Sequence, residues 1–248
     1  MRNRLMQLMR DNAKAKARQP LRAEQSGDEA TVYLYDVIVS DDWFGGVAAE
    51  SFVKELRAIT APVIHLRINS PGGDVFAARA MEQAIREHKS KVVAHVDGYA
   101  ASAASFVAVA CDEVEIAPGG FFMVHKAWTV AFGNSDDLME TAALLEKVDA
   151  SLVESYARET GQSAEEVQRM MADETWLSAQ ESVDLGFADR IAEAAPKASA
   201  TWNLAAYDKA PAAPTVEPVP EPQGHDRERY EFLSRIHSSS RHAETRTA

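Results

Sequence analysis

The 248-residue chain has one cysteine, Cys111. An intrachain disulfide is therefore excluded, as is a zinc site built from several thiolates. Following the apolar stretch Phe106 to Ala110, that thiol reads as an inert core group. No run approaches the roughly 18 apolar residues that span a bilayer. The first residues hold no apolar core of the kind that marks a secretory signal. Excess positive charge is also lacking: the net charge is -12, although residues 1–22 hold seven Arg or Lys and one Asp. So acidic a body argues against nucleic-acid binding by the main domain. The basic first stretch is either solvated or touches an acidic partner. A cytoplasmic protein without a membrane segment is expected, and 46% hydrophobic residues are enough for one large core.

Composition divides the chain in three. Residues 1–28 turn quickly to Lys, Arg, Gln and Gly and are expected to be a mobile basic arm, with one short amphipathic helix at Leu5, Met6, Leu8 and Met9. Residues 29–192 carry the apolar periodicity of a folded domain. Residues 193–248 begin Ala/Pro/Glu-rich and end charged, which predicts an extended linker and a disordered tail with one weak helix near Tyr230 to Ile236.

Within the domain, strand formers alternate with helical spacing. Strands are expected at 32–39, 62–69, 91–97, 114–117 and 122–125, and helices at 48–59, 75–88 and after Ser102. That order predicts an α/β layered fold with mostly parallel pairing. Ser135-Asp136-Asp137 opens a long helix, with the serine as cap. Leu138, Ala142, Leu145, Val148, Leu152 and Tyr156 keep one stripe along it, and Gly161 ends it. Some 24 residues at about 1.5 Å each make a rod of about 36 Å, part of which is expected to project and meet a partner subunit. Ser163 caps a further helix, and Ser178 with Glu181 forms a capping box.

The chemistry concentrates where strands end. In Gly98-Tyr99-Ala100-Ala101-Ser102-Ala103-Ala104-Ser105 a strand enters, the glycine turns the chain, and an alanine-rich helix leaves. A serine at such a turn lies near unpaired backbone N–H groups, which suits a nucleophile whose reaction builds an oxyanion. The simpler reading makes Ser102 or Ser105 an N-cap. Of seven histidines, His225, His237 and His242 fall in the tail, His88 lies near a helix end, and His65 and His95 lie inside strands. His125 sits at a strand end, where sites assemble in α/β folds. Ser70-Pro71-Gly72-Gly73 is a second strand-to-helix turn whose glycines permit close backbone approach. One of its amides, with the amide after Ser102, would make an oxyanion hole; an ordinary Pro-Gly turn is the alternative. Asp173 or Glu174 would orient the histidine.

These segments occur in the order seen in one family. Ile68-Asn69-Ser70-Pro71-Gly72-Gly73, Gly98-Tyr99-Ala100-Ala101-Ser102, Met123-Val124-His125, Thr160-Gly161-Gln162-Ser163, and Trp176-Leu177-Ser178-Ala179 with Leu185-Gly186-Phe187-Ala188-Asp189 resemble the ClpP-type serine peptidases over residues 31–192. The resemblance implies a ClpP/crotonase-like spiral of β-β-α units with a projecting handle helix. It implies Ser102 as nucleophile, His125 as general base, and the amides of Gly73 and Ala103 as oxyanion donors. The family's acid is an aspartate whose position is held here by Glu174, with Asp173 the alternative. Neither metal nor cofactor is implied, and a homo-oligomeric ring acting on polypeptides is.

Ala103 where housekeeping members have methionine, Lys126-Ala127-Trp128 where they have Gln-Pro, the basic N-terminal arm and the Pro-rich C-terminal tail together resemble the prophage and tailed-phage branch of head-maturation proteases. An ATP-independent endopeptidase follows, cutting capsid or scaffold protein in the bacterial cytoplasm or inside an assembling shell, with both chain ends as self-cleavage or attachment regions. The alternatives are a housekeeping peptidase fed by an unfoldase ATPase, a signal-peptide-peptidase type using Ser102 with Lys126, and a crotonase-like acyl-CoA enzyme or non-catalytic ring.

Overall fold

The computed structural model describes residues 4–15, 18–19, 21–43, 45–193 and 202–211. The first elements are α1 (Arg4–Asp11), β1 (Arg22–Ser26), β2 (Glu29–Leu34), β3 (Ile38–Val39), β4 (Val47–Ala48), α2 (Ala49–Ala58), β5 (Val63–Ser70), α3 (Val75–Arg86) and β6 (Lys91–Ala101). Next come α4 (Ala103–Ala108), β7 (Glu113–Ile116), β8 (Phe121–Val124), α5 (Ser135–Thr160), α6 (Ala164–Ala172), β9 (Thr175–Ser178), α7 (Ala179–Asp184) and β10 (Arg190–Ile191). The tail helix expected near Tyr230 and most of the expected linker lie outside the described residues.

Side-chain alternation explains the sheet. In β5, Ile64, Leu66 and Ile68 are buried on one face while His65 and Arg67 are half-buried on the other. The strands lie in the order β1-β2-β5-β6-β7-β10, with β8 pairing both β6 and β9. From β2 to β10 along this path the pairing is parallel; β1 and β9 are antiparallel at its margins. Helices follow β4, β5 and β6 and bury Phe52, Leu56, Met81, Phe106 and Val107 against the apolar face. The architecture is the expected mixed α/β arrangement around a central sheet.

The open face carries a polar ladder. The Arg67 Nε–H donates to Asp97 at 2.8 Å, and Asp97 also accepts from the Tyr35 hydroxyl. His65 Nδ1 lies 2.9 Å from His95 Nε2, and His95 Nδ1 lies 3.2 Å from Glu115.

The site depends on how β6 divides. Its first half pairs with β7, and Tyr99–Ala101 pairs with β8 instead, Ala101 opposite Met123. The expected turn at Gly98 is absent: β6 continues through it, with a shift of register against β5 between Ile68 and Ser70. A Cβ there would stand 2.7 Å from Asn69 Oδ1, so the glycine serves close approach at an irregular point of the ladder.

The long helix differs from expectation at one end. Asn134, not Ser135, is its cap: the Asn134 side chain accepts from the Asp136 and Asp137 N–H groups at 2.8 and 3.2 Å, and Asp137 accepts from the Asn134 N–H at 3.0 Å. Gly161 ends it in the left-handed conformation, as expected. Only its last two and a half turns bury side chains, among them Leu152, Val153 and Tyr156; Leu138, Met139 and Leu144 are exposed.

Described residues on either side of the domain pack onto it further than composition suggests. The expected arm at 1–28 contains α1 and the edge strand β1, and residues 202–211 of the expected linker pack back. Leu8, Trp202, Leu204 and Tyr207 form a second, small core with Val37, Val39, Ala101 and Met123. Asn12 Nδ2 donates to the Asn203 carbonyl at 2.9 Å, and the Asn203 N–H returns a bond to Asn12 Oδ1 at 2.7 Å. Such pairing across the whole chain length leaves no local periodicity to read.

Candidate active site

Ser102 follows the last residue of β6, and His125 follows the last residue of β8. Because those strand ends are parallel neighbours, the two residues emerge side by side, and the Ser102 N–H donates to the Met123 carbonyl at 2.8 Å. Ser102 adopts φ +54°, one of two non-glycine residues with positive φ among those described. That conformation costs on the order of 1–3 kcal/mol and persists only where surroundings impose it. Although Ser102 occupies the N-cap position of α4, its side chain caps nothing; Oγ lies 2.7 Å from His125 Nε2. Ser105 does not cap either. Its hydroxyl donates to the Ser102 carbonyl at 2.6 Å and lies 2.8 Å from the Tyr156 hydroxyl. With the Ser105 hydrogen spent on the Ser102 carbonyl, the Tyr156 hydroxyl is the donor to Ser105, and burial pushes its phenol up to about 12.

A second turn faces the first. The Ile38 N–H donates to the Gly72 carbonyl at 2.8 Å and the Asp74 N–H to the Ile38 carbonyl at 2.9 Å, which pins the backbone on either side of Gly73. Among the described residues, neither the Gly73 N–H nor the Ala103 N–H donates to a protein acceptor. The latter is the first residue of a helix, whose N–H has no intrahelical partner. A Cβ on Gly72 would lie 2.4 Å from the Ala101 carbonyl oxygen and 2.9 Å from the Ala103 nitrogen; one on Gly73 would lie 1.9 Å from the Ile38 carbonyl oxygen. Only glycines allow the two turns to meet. Gly73, Ser102, Ala103 and His125 all line one cleft of about 260 Å³, whose walls include Phe76, Phe106, Trp128 and Leu145.

Behind His125 lies a different hollow, lined by Lys126, Asp173, Glu174, Asp208 and Lys209. Glu174 is 9% exposed, has φ +49°, and accepts the Lys209 N–H on Oε1 at 2.7 Å. Asp173 is exposed and caps the C-terminal end of α6; its carbonyl accepts the Lys209 ammonium. Asp208, an exposed acid that sequence reading did not single out, lines the same hollow. It stands in an Ala/Pro-rich stretch with no strand or helix periodicity to place it. Lys126 lines this hollow and not the cleft in front of Ser102. His65 and His95 are occupied with each other on the open sheet face. Among the described residues no group of three or more His, Cys, Asp or Glu is placed to hold a metal ion, and no helix is long and apolar enough to cross a membrane.

This arrangement has the kinds of group that nucleophilic acyl transfer uses: a hydroxyl within hydrogen-bond distance of an imidazole, acids lining a hollow that the imidazole shares, and two N–H-bearing residues lining the same cleft as the hydroxyl. The family model for Clp protease matches residues 37–195. The ATP-dependent Clp protease proteolytic subunit of Streptococcus agalactiae is 30% identical over 185 residues, which cover 71% of this chain and 94% of that protein. Proteolytic subunit 2 of the ATP-dependent Clp protease of Treponema denticola is 30% identical over 149 residues, covering 59% of this chain and 74% of its own.

Proposed function

The chain belongs to the Clp protease family, and from that premise we propose that it is a serine endopeptidase working through an acyl-enzyme. One observation carries the reading: the 2.7 Å contact between Ser102 Oγ and His125 Nε2, made by a serine held at φ +54° between two strand ends. Ser102 Oγ attacks the scissile carbonyl carbon as His125 Nε2 takes its proton. The oxyanion that forms is met by the N–H groups of Gly73 and Ala103. His125 then passes the proton to the leaving amine, and the C–N bond breaks. In the second half His125 deprotonates a water, which attacks the ester and returns Ser102 with its hydrogen. Glu174 is the orienting carboxylate: of the three acids in the hollow behind His125 it alone is buried. The apolar cleft walls suit a large apolar side chain next to the scissile bond.

The finer reading is that of a phage or prophage head-maturation protease, acting as a homo-oligomeric ring on capsid or scaffold protein in the bacterial cytoplasm without an ATPase. Ala103 and the Lys126-Ala127-Trp128 flank support it. The exposed apolar side chains on the free half of α5 support self-association.

Casein, an unfolded polypeptide, tests both levels. Wild-type protein should cleave it with no ATPase added, and Ser102→Ala and His125→Ala should each lose at least a thousandfold. Cleavage surviving in both variants would sink the endopeptidase reading. Cleavage that needs an added unfoldase would favour the housekeeping alternative.

A further inference from the structure

Residues 202–211 lie beyond the stretch that matches the family model, yet they touch the proposed machinery at three points. The Tyr207 ring stands against the His125 imidazole at a centroid distance of 5.5 Å and an interplanar angle of 77°. Its hydroxyl donates to the Pro71 carbonyl at 2.5 Å, in the turn that carries Gly72 and Gly73. Two residues on, the Lys209 N–H holds Glu174 Oε1 at 2.7 Å. The segment is itself anchored, since the Trp202 indole N–H donates to the Asn69 carbonyl at 2.9 Å and Trp202, Leu204 and Tyr207 are buried.

We propose that this C-terminal segment is a positioning strap, in which Tyr207 sets the imidazole of His125 against Ser102 and the Lys209 backbone sets the carboxylate of Glu174. The strap lies behind the histidine and lines no part of the cleft in front of Ser102, so it orders the base without blocking substrate. Tyr207 couples the two turns physically: one end of its side chain abuts the base and the other grips the oxyanion loop. An imidazole with a free ring rotation would spend part of its time away from Oγ, and misplacement by about 1 Å is enough to cost on the order of a hundredfold in rate. The proposal rests on the Ser102–His125 reading of the site.

The test is the rate of covalent labelling of the full chain by a fluorophosphonate, which phosphonylates an activated serine with loss of fluoride. The maximal rate and the half-saturating concentration are measured separately. Tyr207→Leu keeps an apolar side chain but removes both the ring and the hydroxyl; Tyr207→Phe keeps the ring. The leucine variant should label at least tenfold more slowly at saturation with an unchanged half-saturating concentration. The phenylalanine variant, which keeps the ring and loses only the bond to Pro71, should label more slowly than wild type but at least threefold faster than the leucine variant. Equal rates for leucine and wild type, or a change confined to half-saturation, would overturn the role. Lys209→Pro, at an exposed position, removes the N–H to Glu174 and should slow saturated labelling at least threefold in a chain whose circular dichroism is unchanged. Should the leucine variant fail to fold, this second variant decides alone, and an unchanged rate overturns the strap. A wild-type protein that does not label at Ser102 would bring down the reading of the site itself, and the strap with it.

Discussion

Gly73 has no freedom to become anything else. Its φ is +151°, and a methyl group would lie 1.9 Å from the Ile38 carbonyl oxygen that helps pin the loop. Gly73→Ala must therefore move the loop and with it one proposed oxyanion donor. Loss of one donor costs about 2.7–4 kcal/mol, or roughly 10²–10³ in kcat, and kcat on a peptide substrate should fall by at least that much. A near-normal kcat would remove Gly73 from the mechanism. The acid is resolved by separate alanine variants. Glu174→Ala should lower kcat by roughly 10³–10⁴-fold, the scale expected when an imidazole loses its orienting carboxylate. Asp173→Ala, at an exposed helix cap, should stay within twofold, and the reverse pattern would reassign the role. Sequence pattern placed Ser102 and His125 at strand ends and the two acids between helices. It could not say which acid turns inward, because that depends on the left-handed φ of Glu174 and on a partner 35 residues away.

Two elements decide most of the geometry. The first is β6, whose second half leaves β7 for β8 and so delivers Ser102 beside His125, 23 residues further on. The strand was legible from its apolar run, but its extent was not. Glycine signals a turn in isolation, and the register shift against β5 with Asn69 close by explains why a glycine sits inside this strand. The same strand carries His95, whose imidazole burial holds below the usual value, outweighing the opposing pull of Glu115. His65, Arg67 and Glu115 face it from the neighbouring strands. Below a pH of about 6.5 the unfolded chain binds a proton at this site that the folded chain resists, so stability rises with pH there and falls on acidification. The melting midpoint should therefore drop between pH 7.5 and 5.5 more steeply in wild type than in His95→Gln; parallel slopes would show that His95 does not contribute.

The second element is α5. Its periodicity announced a long helix, and the excess over what the core needs is visible as exposed Leu138, Met139 and Leu144. Its root is fixed by the Ser105–Tyr156 contact and by Arg79, whose guanidinium lies 2.6 Å from the Ser151 hydroxyl and 4.2 Å over the Phe106 ring. The free half should make the subunit contacts. Met139→Glu, 62% exposed in the single chain, should leave circular dichroism unchanged and shift the sedimenting mass to monomer. An intact oligomer would place the interface elsewhere.

At the scale of the molecule, residues 4–15 and 202–211 meet beside the site. Leu8 of α1 and Trp202, Leu204 and Tyr207 share a small core with Ala101, just before Ser102, and with Met123, which pairs with Ala101. Composition hid this, because α1 is followed by polar residues and the C-terminal aromatics sit in an Ala/Pro-rich stretch. The arrangement limits self-processing. If the protein trims itself and stays active, its cuts should fall beyond Pro211 and spare both 4–15 and 202–211. Intact-mass and peptide mapping of active protein would show it, and an active species lacking residues 202–211 would contradict it.

The central claim is that Ser102 is an activated nucleophile with His125 as its base. The most direct test is fluorophosphonate labelling of wild type, Ser102→Ala and His125→Ala, with the adduct located by mass spectrometry. A single adduct on Ser102 that disappears in both variants is the predicted result. A folded wild-type oligomer that takes no label, or takes it elsewhere, would contradict the account.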